Sequence, residues 1–363
     1  MNYFVTGGTG FVGRFLLEKL LQRGGTVYVL TRNASHNKFE SLRHRLAAGP
    51  DKLIPVFGDL TQPQLGLSES DIENLNSHIE HFFHVAAIYD LKANEADQHA
   101  ANVNGTRNAI DCATALGARC FQYVSSVAVS GMYVGTFTED MFDEAENLAN
   151  AYYRSKHDGE AVLRQLCSIP WRIYRPSGIL GHSRTGEIDK IDGPYYSFPM
   201  IKKLRFVPGW LPLPGVSAGS LNLVPVDYVV NAMDHIAHQP DLDGSCFHLT
   251  NTQQYDATEM TNIFAKAAGA STLSIRAQIN PAGAPWGWIL SIPFLQKIGG
   301  RMIEAAGIPL EALKMMQWDT RYDCTATLQA LQGSGITLPK LEVYASTLWN
   351  YWEQNLDPDR ARS

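Results

Sequence analysis

Hydrophobic positions along this chain switch between two periods, and the switches lay out its elements. Asn2–Thr6 is a short apolar run of strand length, Phe11–Arg23 has helical spacing with Phe15, Leu16, Leu20 and Leu21 on its inner side, and Thr26–Thr31 is a second buried run. Together they predict a βαβ unit. Apolar runs bounded by turn signals recur at Leu53–Phe57, His81–Val85, Cys120–Ser125 and Trp171–Arg175, with helical patterns at Asn102–Leu116 and Tyr152–Leu166. The alternation predicts an α/β fold of Rossmann type, a mostly parallel, doubly wound sheet.

Past about residue 180 the pattern changes. Gly181–Gly219 is rich in Gly, Pro and aromatics and reads as a substrate-binding insertion. Order returns at Leu221–Asp227, with a helix starting near Asp227, and at Cys246–Leu249. The expected division is therefore residues 1–180, with returns at about 221–250, as a dinucleotide-binding domain, and 181–220 with 251–363 as a smaller carboxyl-terminal substrate-binding region. A last helix over about Leu341–Asn355 places Leu341, Tyr344, Leu348 and Trp352 on one side. Pro285–Ile308 is apolar but too short and broken to predict a membrane span. Its Trp286, Trp288, Ile289, Leu290, Ile292, Phe294 and Leu295 suit an acyl groove or a membrane surface, and equally a core helix or a dimer interface.

Composition narrows the function classes. Thirty basic against 36 acidic residues, net charge −6 over 363 residues, give no basic footprint for nucleic acid. Five scattered cysteines without a C-x-x-C pair predict reduced thiols and no metal site. No charged leader precedes the first strand, so the expected location is cytoplasmic.

The first βα turn reads Thr6-Gly7-Gly8-Thr9-Gly10-Phe11-Val12-Gly13. Gly7, Gly10 and Gly13 follow a strand and open a helix, the context in which glycines let backbone approach a pyrophosphate held at helix N-terminal amides. The second strand ends Thr31-Arg32, without the acid that would hold an NAD ribose 2′-hydroxyl. Arg32 suits a 2′-phosphate instead, so NADPH is the expected cofactor; Arg14 and Lys38 are weaker phosphate candidates. After the third strand, Asp59 is placed to accept from the adenine amino group and Leu60 to cover the ring. Ala86 and Ala87, after the fourth, are small where cofactor must pass close to backbone; packing explains them as well.

Tyr152 and Lys156, four apart on a helix, share one face. A neighbouring ammonium favours phenolate and makes the tyrosine a usable acid near neutral pH. Ser125-Ser126 ends the fifth strand at the carboxyl edge where open α/β sheets place ligands, so a serine there can polarise a carbonyl. Asn102 is read as beginning a helix and anchoring a proton-relay water.

Thr6–Gly13, Asn102-Val103-Asn104-Gly105-Thr106, Ser125-Ser126, Tyr152-x-x-x-Lys156, Tyr174-Arg175-Pro176 and Val224-Pro225-Val226-Asp227 together resemble the extended branch of the short-chain dehydrogenase/reductases. Within it the chain is similar to the fatty acyl-CoA reductase, or male-sterility-like, group, especially the amino-terminal reductase domain of bacterial two-domain fatty acyl-CoA reductases. The likeness runs nearly end to end, through Gly193-Pro194-Tyr195-Tyr196 to Trp349-Asn350-Tyr351-Trp352 and Asn355-Leu356-Asp357-Pro358. It implies Ser-Tyr-Lys catalysis by Ser126, Tyr152 and Lys156, with Ser125 as the fallback serine. It also implies that Pro176, Gly178 and Ile179 frame the nicotinamide, and a lipid substrate, fatty aldehyde or acyl-CoA. Because the chain stops at Ser363, where those proteins continue into a second reductase, one of the two reductions is expected, aldehyde to alcohol being favoured. The competing readings are a hydroxysteroid or flavonol-type alcohol dehydrogenase, a sugar-nucleotide epimerase, which Thr31-Arg32 opposes, and a non-catalytic nucleotide sensor, which the intact Ser126, Tyr152 and Lys156 oppose.

Overall fold

Strands β1 (Asn2–Thr6), β2 (Thr26–Thr31), β3 (Leu53–Phe57), β4 (His81–His84), β5 (Cys120–Val124), β6 (Trp171–Pro176) and β7 (Ser245–Leu249) form one parallel sheet ordered β7-β6-β5-β4-β1-β2-β3. The computed structural model describes residues 1–87, 94–189, 191, 193–217, 220–278 and 319–360. Strand order reverses between β1 and β4, the switch point at which such sheets open a ligand crevice beyond their carboxyl ends. There Thr6 of β1 lies opposite His84 of β4 in the register.

Helices α1 (Phe11–Gln22), α2 (His36–Arg45), α3 (Gly105–Ala115), α4 (Ala151–Leu166) and α5 (Val226–Ala237) accompany the sheet, α1 packing on α5 and α3 on α4. Strands covered on both faces need apolar residues on both, which is why their sequences read as runs rather than alternations. Phe4, Phe82 and Phe121 stack across β1, β4 and β5 with ring centroids 4.8 and 5.2 Å apart, in one core cluster with Ala109 and Ile110 of α3 and Val162 and Leu163 of α4.

Three expectations change. The inner side of α1 holds Leu17, fully buried, whereas Leu21 is only half-buried. Asn102 does not begin a helix: it sits in a π-helical turn, Ala100–Asn104, between the helix Glu95–His99 and α3. The run at Leu221–Asp227 does not add to the seven-stranded sheet: Leu223–Pro225 pairs instead with Gly178–Leu180, while Val226 and Asp227 open α5 as expected.

The chain divides into two compact units. The first comprises Met1–Ser177, Val226–Thr252 and Tyr322–Thr337. The second comprises the described residues of 178–225, 253–321 and 338–363. Residues 221–225 thus join the second unit, through the pairing just given, while 322–337 joins the first, where the Glu139 carboxylate accepts from the Thr327 amide and hydroxyl. Within the second unit the helices Phe198–Leu204, Ala257–Ala267 and Leu341–Asn355 meet through Phe198, whose ring lies 4.7 Å from Phe264 and 5.2 Å from Trp349. Leu341, Tyr344, Leu348 and Trp352 are all buried on the last helix. The apolar stretch 285–308, with Trp286, Trp288, Ile289, Leu290, Ile292, Phe294 and Leu295, lies outside the described residues. No helix among the described residues is long and apolar enough to cross a membrane, and none of their His, Cys, Asp and Glu side chains group as a metal site.

Candidate active site

The turn between β1 and α1 is shaped by close backbone approaches. Gly7 has φ +71°, and a Cβ there would lie 2.6 Å from the Ala86 nitrogen. A Cβ on Gly13 would fall on the Gly7 carbonyl oxygen. Gly10 caps α1 with no side-chain bond to the first amides, so the helix N-terminus is left to an anion, and the cradle fits a pyrophosphate. Phe11 and Val12 are half-buried in the first turn. The Arg14 guanidinium lies over the Phe11 and Phe15 rings, 5.3 and 4.8 Å from their centroids, and so belongs to packing.

Asn150 starts α4: its side chain accepts from the amides of Tyr152 and Tyr153 at 2.8 and 3.4 Å, a cap the sequence reading missed. Tyr152, Lys156, Glu160 and Arg164 then follow at intervals of four along one helix face. Tyr152 and Lys156 are both buried. Lys156 Nζ donates to the Val124 carbonyl at 3.2 Å and lies 5.8 Å from the centroid of the Tyr123 ring. Burial pulls its pKa down to about 8, against the opposing pull of Glu160.

The two serines after Val124 diverge. Ser125 is buried and donates to Glu160 Oε2 at 2.6 Å. Ser126 is half-buried and accepts from the Ala128 amide at 3.1 Å, capping the short turn Val127–Ser130 that packs on α4. Its hydroxyl proton has no acceptor among the described residues, which leaves it able to donate to a ligand oxygen.

Under the serines lies a buried ion pair outside the expected site. Arg175 Nη2 meets Glu160 Oε1 at 2.5 Å and its Nε meets Oε2 at 3.1 Å, both side chains fully buried. Burial opposes the Glu160 charge, but Arg175, with Arg164 and Ser125, outweighs it and draws the carboxyl down to about 2. The available signal was an acid on the inner face of an amphipathic helix, one turn beyond Lys156.

Asn102 is buried, and its amide Nδ2 donates to Ser155 Oγ at 3.0 Å. A Cβ on Gly159 would come within 2.5 Å of the Asn102 carbonyl, so glycine permits α4 to approach the π turn.

Of the remaining cofactor candidates, Thr6 is buried and Arg32 exposed. Asp59 Oδ1 accepts from the amide and hydroxyl of Thr61 at 2.9 and 2.8 Å; these bonds, with Arg32 adding its charge, hold the carboxyl below the usual range. Leu60 rests against Gly105, and its carbonyl accepts from Asn108 at 2.9 Å. Ala86 is half-buried and Ala87 exposed. Pro176 is buried at the end of β6, while Gly178 and Ile179 belong to the second unit. The first unit therefore gathers the glycine turn, Ser126, Tyr152 and Lys156 on elements that meet at the carboxyl ends of β1, β4 and β5.

Residues 5–233 match the NAD-binding family described as Male sterility protein. A linear gramicidin synthase from Brevibacillus parabrevis is 30% identical over 272 residues, covering 70% of this chain and 5% of that protein. Aldehyde reductase lnaA of Aspergillus flavus is 26% identical over 388 residues, covering 93% of this chain and 34% of the relative. The chain thus spans about a third or less of these curated relatives. Among solved structures, the terminal R domain from the myxalamid PKS-NRPS biosynthetic pathway superposes with a TM-score of 0.77 at 27% identity, covering 97% of this chain and 90% of that one.

Proposed function

Because the chain belongs to the Male sterility protein family of NAD-binding domains, an oxidoreductase family with reductase relatives, we propose that it is an NADPH-dependent reductase of long-chain acyl substrates. The reaction is reduction of a fatty aldehyde to the alcohol, R–CHO + NADPH + H⁺ giving R–CH₂OH + NADP⁺, or of an acyl-CoA thioester to the aldehyde with release of the thiol. The observation that carries the reading is Lys156: a buried ammonium one turn from Tyr152, anchored on the carbonyl of Val124, two residues before Ser126.

With its pyrophosphate held at the glycine turn, a bound NADPH would supply a hydride for the carbonyl carbon. Gly7, Gly10 and Gly13 would receive its pyrophosphate, and Arg32 its 2′-phosphate. Ser126 donates a hydrogen bond to the substrate oxygen as negative charge develops there. Tyr152 delivers the proton that completes the alcohol, and the Lys156 charge eases that transfer by favouring the phenolate left behind. Glu160 and Arg175 hold Ser125 in place without entering the reaction.

A second reading follows from the R-domain likeness: the acyl group arrives on a polyketide or nonribosomal peptide synthetase instead of as free acyl-CoA. Both are tested by following oxidation of NADPH, with an NADH control, on a fatty aldehyde, on its acyl-CoA and on a carrier-bound acyl thioester. Turnover of the aldehyde or acyl-CoA supports the first reading; turnover confined to the carrier-bound thioester supports the second. Silence on all three, with NADPH still binding, would reject both.

A further inference from the structure

His84 ends β4 opposite Thr6, and its ring is completely buried, stacked 5.8 Å from that of Tyr123. Its Nδ1 is 2.8 Å from Thr6 Oγ1 and its Nε2 3.3 Å from Thr106 Oγ1. Which nitrogen carries the proton follows from Thr106, whose hydroxyl lies 2.7 Å from the Asn102 carbonyl oxygen. A carbonyl has no proton to give, so Thr106 donates there. The imidazole must then donate to Thr106 from Nε2, which makes Nδ1 the acceptor of the Thr6 hydroxyl. Thr6 in turn accepts from the Ala86 amide at 3.3 Å.

The same direction continues beyond Asn102. Its Nδ2 donates to Ser155 Oγ at 3.0 Å, and the Ser155 hydroxyl donates to the backbone carbonyl of Tyr152 at 3.0 Å. Thus two hydrogen-bonded runs, joined covalently through Asn102 from its backbone carbonyl to its side-chain amide, tie the root of the glycine turn to the helical turn that carries the proton donor. Burial, reinforced by the charge of Lys156, keeps the imidazole neutral. With both nitrogens engaged in the core, His84 has no face to offer a substrate.

We propose that His84 is a positioning residue: as the neutral Nε2–H tautomer it ties the cofactor turn to α4, fixing the spacing between cradle and proton donor. The role rests on the reductase reading, but the tie itself is measurable without turnover. His84→Phe keeps the ring and removes both bonds, Thr106→Val removes one hydroxyl, and His84→Gln keeps an amide donor toward Thr106. Hydrogen exchange is followed in the full chain over residues 151–160, with residues 226–237 of α5 as control, beside kcat for aldehyde and KM for NADPH.

Both disrupting variants should speed exchange over 151–160 by about tenfold and leave the control unchanged. They should lower kcat on the order of tenfold to 10²-fold, the scale of small misplacements of reacting groups, with KM for NADPH within about threefold. His84→Gln should recover most of kcat, and the His84→Phe/Thr106→Val double variant should be no worse than the worse single one. Native exchange over 151–160, equal acceleration in both segments, or losses that multiply in the double variant would each overturn the proposal. A parent chain that binds NADPH but leaves the aldehyde, the acyl-CoA and the carrier-bound thioester all untouched counts against the reductase reading, and the exchange comparison alone then decides His84.

Discussion

Ser125 Oγ donates to Glu160 Oε2 at 2.6 Å, and that bond separates two adjacent serines that sequence alone leaves interchangeable. Ser125 faces inward to a carboxylate, whereas Ser126 keeps a proton for the crevice. Ser126→Ala should lower kcat about 10²- to 10³-fold, the usual scale for one lost donor to a developing oxyanion, while losing its cap on Val127–Ser130 costs only about 0.5–1 kcal/mol. Ser125→Ala should instead destabilise by about 1–3 kcal/mol through the loss of a buried hydrogen bond to a charged acceptor, Oε2 keeping only its bond from Arg175. Steady-state kinetics and urea denaturation on both variants check the division; the reverse pattern would move the role to Ser125.

The alkaline side of activity should follow Lys156. Its pKa lies at about 8, below the ordinary lysine value of 10.5, so the charge that supports Tyr152 is lost above about pH 8 and kcat should fall there. The linkage has the opposite sign for stability. Between pH 8 and 10.5 the unfolded chain holds a proton that the folded chain has released, so this group's contribution to stability rises with pH over that window. A kcat profile that stays flat through pH 9, at saturating substrate, would contradict the assignment.

Arg32 is exposed beyond β2 with no acid at the strand end. Arg32→Ala should raise KM for NADPH by the equivalent of about 1.5–3 kcal/mol, one charge-assisted bond, and leave KM for NADH nearly unchanged. Equal effects on the two cofactors would remove Arg32 from the phosphate site.

The Glu160–Arg175 pair predicts a stability pattern distinct from any catalytic effect. Arg175→Met removes the fully buried partner of Glu160, leaving only Arg164 and Ser125 against its charge, and should cost about 3–5 kcal/mol, whereas Glu160→Met/Arg175→Met should cost far less. Because the Glu160 pKa is drawn down to about 2, its contribution is complete above the ordinary value of 4.5 and is lost as pH falls toward 2. Urea titrations of the single and double variants at neutral and acid pH measure both statements; a double variant as unstable as Arg175→Met would refute the pairing argument.

By itself the sequence determined the strands that are buried on both faces, because uninterrupted apolar runs have no other use in a chain with helical patterns between them. It determined the glycine turn, because only that spacing after a strand and before a helix brings backbone this close. It also put Tyr152 and Lys156 on one helix face, since their spacing is local. What depends on residues distant in the chain was decided only in three dimensions. The tertiary structure sent Leu223–Pro225 to pair with Gly178–Leu180, set Asn102 in a π turn against α4, and turned Ser125 inward onto Glu160. It also linked Thr6, His84 and Thr106 by hydrogen bonds to the Asn102 backbone, whose side chain bonds Ser155. The physical reason is that apolar periodicity is written in neighbouring residues, whereas a buried polar group is satisfied by partners that only the folded backbone brings within reach.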